Sequence, residues 1–231
     1  MIKTSNESIK FLVDSCINPD TDALKSQAVS VGKKRKEHTH NSKWFSTWDI
    51  RYNKIVDWGG EHGFESIKIS RGNLWEAIGA YHRENKELFL VFKKPNLNKI
   101  IKYPFNGHYA SIASVVNGDL PNIQTELFEL NSTEEERIVE YEKMNEELIG
   151  KFDIKPERVI LCGFSQFSFE AIIVNKWQQL AYTFDYSELI DHSYNEESKE
   201  QPEIDPPKDS KKKNISKTRE PKPRIKGLKK S

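Results

Sequence analysis

Of all the Phe, Trp and Tyr residues in the chain, only Tyr194 lies beyond Asp191. Aromatic side chains supply much of the apolar area from which a core is built, so whatever folds is confined to residues 1–190. From Asp191 onward apolar residues nearly vanish and Pro, Ser, Lys and Glu take over. Such a composition buries too little surface to offset the loss of chain entropy. The sequence therefore predicts one globular domain, 1–190, followed by a disordered tail, 191–231. A mean hydropathy of −0.74 is the average of these two unlike parts.

Within the first part, Ile9, Leu12, Val13, Cys16 and Ile17 recur at the spacing of one helix face and predict a helix over 8–17. Thr4 and Glu7 stand at capping-box spacing before it, and Asn18-Pro19 stops it. Residues 19–43 are polar, with KKRKEHTH near their end, and read as an exposed loop. A second helix carries Trp48, Tyr52, Ile55 and Val56 on one face and ends at Gly59-Gly60.

Three strand-length runs follow at 64–70, 75–82 and 87–93, separated by short turns. The last contains LFLVF, apolar on both faces, and belongs at the centre of a sheet. Pro95 opens a short helix through Tyr103. Another, 108–116, points Tyr109, Ile112, Val115 and Val116 inward, with Asn117-Gly118 as its stop.

The clearest helix is 133–150. Ser132 caps it, Glu134, Glu135 and Glu136 sit at its positive end, and Ile138, Tyr141, Met144 and Leu148 form its buried stripe. Strands at 157–164 and 169–177 flank Ser165-Gln166, while 178–190 fits strand or helix. Strand runs grouped apart from helix runs give an α+β domain, a mostly antiparallel sheet of about five strands flanked by helices. The strand order does not follow from the sequence.

Cys16 and Cys162 each lie in an apolar stretch and read as buried free thiols acting as small hydrophobes. The N-terminus has no charged-then-apolar signal pattern, and no apolar run approaches the ~18 residues of a membrane span. A cytoplasmic setting without membrane contact is expected.

The near-neutral formal charge of +1 conceals a segregation. Residues 191–205 hold six acids and one base, a net of −5, and residues 206–231 hold eleven bases and two acids, a net of +9. Residues 1–190 therefore carry −3. The cationic arm, with Lys211, Lys212, Lys213, Lys217, Arg219, Lys222, Arg224, Lys226, Lys229 and Lys230, fits a polymer of phosphates, bound with steep salt dependence. It has no aromatic residue on which to stack a base, so binding of nucleic acid through it is non-specific. The plain alternative is a solubilising tail.

Catalytic signatures fail on spacing. A restriction-type nuclease needs Glu-x-Lys on one strand face, but Glu65 and Lys68 are three apart and alternate faces. Glu84-Asn85-Lys86 has the spacing but lies in a turn. His38-Thr39-His40 has no Cys or acidic cluster nearby to complete a zinc site, and His82 and His108 stand alone in sequence. The run from Gly163 to Phe167 lacks the second glycine of a serine-hydrolase elbow and joins two strands, so it reads as a hairpin turn. No metal site and no cofactor are expected. Arg71, beside the Gly72 turn and Trp75, is a candidate interaction point, where the cation could stack on a ring or hold an anion. Trp44, Trp48 and Trp58 are read as core, with room for one at an interface.

Trp48-Asp49-Ile50-Arg51-Tyr52, followed by Lys68-Ile69-Ser70-Arg71-Gly72 and Trp75, resembles an uncharacterised protein family of Gram-positive bacteria and their phages. The resemblance extends over about 44–190, with the tail outside it. It implies no catalytic residues, but a setting in which small accessory proteins bind a host, defence or nucleic-acid component. The expected function is thus a non-catalytic interaction protein, its body on a protein partner and its tail on nucleic acid. A metal-dependent nuclease with dispersed carboxylates (Asp49, Asp57, Glu65, Glu76) and an inhibitor with an inert tail are the alternatives.

Overall fold

The computed structural model describes residues 1–17, 21–30, 43–71, 75–102, 108–121 and 132–192, with backbone alone at 21, 27–30, 43–44, 71, 75 and 132–138. The first compact unit is Met1–Tyr194. Residues 193–231, with every basic residue singled out in the tail, lie outside the described residues.

The domain is α+β. Helices α1 (Asn6–Ile17), α2 (Thr21–Ser30) and α3 (Lys43–Trp58) lead through a 3-10 turn, Gly59–His62, into strands β1 (Phe64–Arg71), β2 (Trp75–His82) and β3 (Glu87–Lys93). Helix α4 (Lys94–Lys102) follows, then a 3-10 turn running into α5 (Ile112–Asn117), and α6 (Ser132–Ile149). Strands β4 (Arg158–Phe164), β5 (Phe169–Val174) and β6 (Leu180–Asp185) complete the chain, before a last 3-10 turn at Ser187–Leu189.

All six strands form one sheet in sequence order. Two antiparallel meanders, β1-β2-β3 and β4-β5-β6, meet at its centre in a parallel pair, β3 with β4. A parallel neighbour requires the chain to cross from one end of the sheet to the other, and α4, α5 and α6 make that crossing. As its apolar run requires, β3 is central and buried, and β4 beside it matches it.

Paired residues share a sheet face. One ladder crosses every strand through Ile67, Gly79, Leu90, Leu161, Ile172 and Thr183. Gly79 leaves room within it, since a Cβ there would stand 2.9 Å from Leu88 Cδ1. On this face Tyr109 stacks on Phe92 with centroids 5.2 Å apart, and Leu97 of α4 lies against Gly163. The opposite face holds Phe64, Phe89, Cys162 and Phe164. There Phe11 of α1 stacks on Phe64, and Trp48 of α3 meets Phe164 edge-on at 5.7 Å. Helices thus cover both faces.

Several local expectations need correction. Thr4 does not cap α1: Ser8 N donates to Ser5 Oγ at 3.2 Å, while Thr4 is turned to Glu87. The predicted loop 19–43 contains α2, whose Ala, Leu, Lys and Gln favour helix. Val56 is exposed, and Arg51 is the buried neighbour on α3 instead. Val115 and Val116 are half-buried, whereas Asn117, where α5 ends as expected, is buried. Its side chain accepts from Val159 N at 2.8 Å and donates to the carbonyls of Val159 and Val174 at 2.9 Å each, tying α5 to β4 and β5. The open segment 178–190 resolves into β6 and the last 3-10 turn. Tyr141 is buried as expected, and the Ser132 and Ile138 side chains lie outside the description.

Candidate functional site

The residues selected from sequence do not converge. Arg71 and Trp75 face each other as register partners at the turn end of the β1-β2 hairpin, though their side chains are outside the description. His38 and His40 are outside it as well. Glu65 pairs with Arg83 at one end of that hairpin, and Glu76 pairs with Lys68 toward the other, at 2.8 Å. Glu65 and Ser70, the register partner of Glu76, are five residues apart on β1, about 17 Å of strand. Asp49 does approach Glu76: partial desolvation, then the Glu76 charge, raises its carboxyl above the ordinary value. Four dispersed carboxylates therefore do not close on one ion. Among the described residues no group of three His, Cys, Asp or Glu is placed to hold a metal.

Ser165 lies in the hairpin turn between β4 and β5, as its sequence context predicts. Its hydroxyl is 2.7 Å from that of Ser168, which also lies 3.4 Å from Lys94 Nζ. Lys94 is bound to Glu170, and Asp185 accepts from Ser187 N and Oγ, which hold its carboxyl below the ordinary value. This cluster is satisfied from within and fixes the hairpin.

An open groove of about 470 Å³ runs between the first turn of α1, the 3-10 turn ending in Gly63, and the turn after β2. Ser5 comes from just before α1, Glu7 and Ser8 from its first turn, Glu61 and His62 from the 3-10 turn, and His82, Glu84 and Asn85 from the end of β2 and its turn. Sequence reading passed over all of these as a group, because three separate segments supply them and His82 looked isolated.

The groove is built on an aromatic base. Phe11 stacks on His62 at 4.2 Å, and Phe64 meets His82 edge-on at 5.5 Å. His82 is only 8 % exposed. Its Nδ1 accepts from Asn85 N at 3.3 Å, so in the neutral ring the proton sits on Nε2. Gly63, at φ 81°, stands against that nitrogen, where a Cβ would come within 2.9 Å. The glycine allows a left-handed turn and a close approach of its backbone to the Nε2 edge.

Behind the groove, the buried Glu87 carboxylate holds the chain leading into α1. It accepts from Lys3 N at 2.8 Å, Thr4 N at 2.9 Å and Thr4 Oγ1 at 2.7 Å. Glu87 pairs in register with His82, so one β2-β3 contact fixes both the imidazole and the start of α1.

The chain belongs to a family of unknown function, DUF5986, whose model matches residues 3–231. The match is wider than the expected 44–190, taking in α1, the groove and the tail. No curated protein and no solved structure matches the chain.

Proposed function

From membership of a family whose function is unknown, we propose that this chain is a non-catalytic interaction protein of a bacterial or phage cytoplasm. Its folded body binds a host or defence protein, and its basic tail binds nucleic acid without sequence preference. The observation that carries this reading is the charge segregation: eleven bases against two acids over 206–231, beside a body of net −3. A polycationic segment releases counterions from a phosphate polymer, whereas a uniformly charged chain of the same total would not. One surface feature of the body supports a partner: the groove around His82 has an acidic rim. Among the described residues, no helix is long and apolar enough to cross a membrane.

The test is affinity capture from the native host with the full chain and with a variant whose tail lysines and arginines are changed to glutamine. Loss of nucleic acid with retention of protein partners supports the division of labour. Equal recovery of nucleic acid by both removes the tail's role. Cleavage of DNA or RNA that depends on a divalent metal and is abolished by Asp49→Asn or Glu76→Gln would replace this reading by a nuclease.

A further inference from the structure

We propose that the groove around His82 binds a lysine- and arginine-rich peptide segment of the partner, with a peptide carbonyl on His82 Nε2 and the basic side chains on Glu7, Glu61 and Glu84. The proposal deepens the reading of the body as a partner-binding module and does not depend on the tail.

The interior of the groove asks for an acceptor. His82 is more than nine-tenths buried, and its Nδ1 is engaged by Asn85 N. Its Nε2 lies beside Gly63, which also lines the groove, and makes no hydrogen bond among the described residues. The first turn of α1, whose N-terminal end carries a partial positive charge, lies alongside.

The rim asks for cations. Glu7, Glu61 and Glu84 line it, and none of them is in an ion pair among the described residues. Lys3, the one base on the rim, has its ammonium 3.8 Å from Glu157.

An acceptor inside and cations outside exclude most simple ligands. A phosphate or nucleic acid would meet three carboxylates. A polyamine would satisfy the rim and bring nothing to His82. A basic peptide brings both, a carbonyl at every residue and a cation at each Lys or Arg. The groove's volume is in the range that holds several side chains.

The test uses the full chain and a fluorescein-labelled Gly-Lys-Gly-Arg-Gly-Lys-Gly peptide, blocked at both ends and read by anisotropy, with spermine and a glutamate-substituted peptide as competitors. The basic peptide should bind, the glutamate peptide should not compete, and spermine should compete only weakly. The triple variant Glu7→Gln, Glu61→Gln, Glu84→Gln changes rim residues only and should weaken binding about tenfold. Backbone amide shifts in the wild-type chain, which need no variant to fold, should cluster at Glu7, Gly63 and Asn85 and be accompanied by a shift of the His82 ring signals. Three results would each overturn the proposal: undetectable binding at millimolar peptide, equal affinity in the triple variant, or shifts centred elsewhere. None of them touches the capture experiment, where a protein partner binding through another surface would still be recovered.

Discussion

Arg51 Nε donates to the carbonyl of Cys16 at 2.6 Å, so a charged side chain buried in α3 closes the last turn of α1. The same guanidinium lies over the Phe164 ring at 4.9 Å and the Trp48 ring at 5.6 Å. A planar cation suits both tasks, donating in its plane while stacking through its face. Arg51→Lys keeps the charge and loses the geometry. It should destabilise the fold by about 1.5–3 kcal/mol, the range for a hydrogen bond from a buried charged group. Urea unfolding at neutral pH measures this, and a change below about 0.5 kcal/mol would show the contact to be incidental.

Cys16 itself and Cys162 are free and fully buried, as their apolar settings in sequence imply. Burial pushes the Cys16 thiol from 9.0 up to about 12, with Arg51 and then Lys54 pulling back, and burial also raises Cys162. Neither should react with a thiol reagent in the native protein at pH 8, and both should react in denaturant. The linkage sign follows from proton binding. Between 9.0 and about 12 the folded state holds the Cys16 proton and the unfolded state releases it. This contribution to stability is therefore complete below pH 9 and is lost as pH rises through that window. Chemical denaturation at pH 8 and pH 10.5 should show the fall, reduced in Cys16→Ala.

Glu87 accepts three hydrogen bonds from Lys3 and Thr4 while 1 % exposed. Glu87→Gln turns one acceptor oxygen into a donor that faces other donors. A loss of about 2–3 kcal/mol is expected, together with faster hydrogen exchange at the start of α1. Thr4→Val removes the hydroxyl's bond to Glu87 and the long one it accepts from Asn85 Nδ2, keeps both backbone bonds, and should lose less. If the two variants lost the same amount, the backbone bonds from Lys3 and Thr4 would be contributing nothing.

These sites also mark how far the sequence could be read. The strands were legible because LFLVF and its neighbours have a period and composition that only a sheet accommodates, and five of the expected runs became β1 to β5. The parallel join of β3 to β4 was not, since pairing depends on contacts remote along the chain. The long-range partners of polar residues were hidden in the same way. Thr4 matches a capping box locally, but a buried carboxylate beyond α3 and two strands competes for it and prevails. Asn117 does end α5 beside Gly118 as expected, but nothing local shows that its amide also ties the ends of β4 and β5. The groove was invisible for a related reason: its donors and carboxylates are unremarkable singly, and only the fold brings three segments together.

The tail reading has a quantitative consequence. Each phosphate neutralised on duplex DNA contributes about 0.9 to the slope of log affinity against log salt, and about 0.7 on a single strand. Lys211, Lys212 and Lys213 are consecutive, so an extended segment would set them on neighbouring phosphates. Changing all three to glutamine should reduce the slope by about 2.7 on duplex and about 2.1 on single strands, with the same loss for every sequence tested. The difference between duplex and single strand matters, because a loss of net charge acting only through distant attraction would be screened within about 10 Å at 0.1 M salt and would leave the slope almost unchanged. Filter binding across 50–300 mM KCl on two unrelated sequences separates the cases. An unchanged slope would mean that the lysines do not contact phosphate. A slope change confined to one sequence would mean that the cationic arm reads bases, for which it has no aromatic platform.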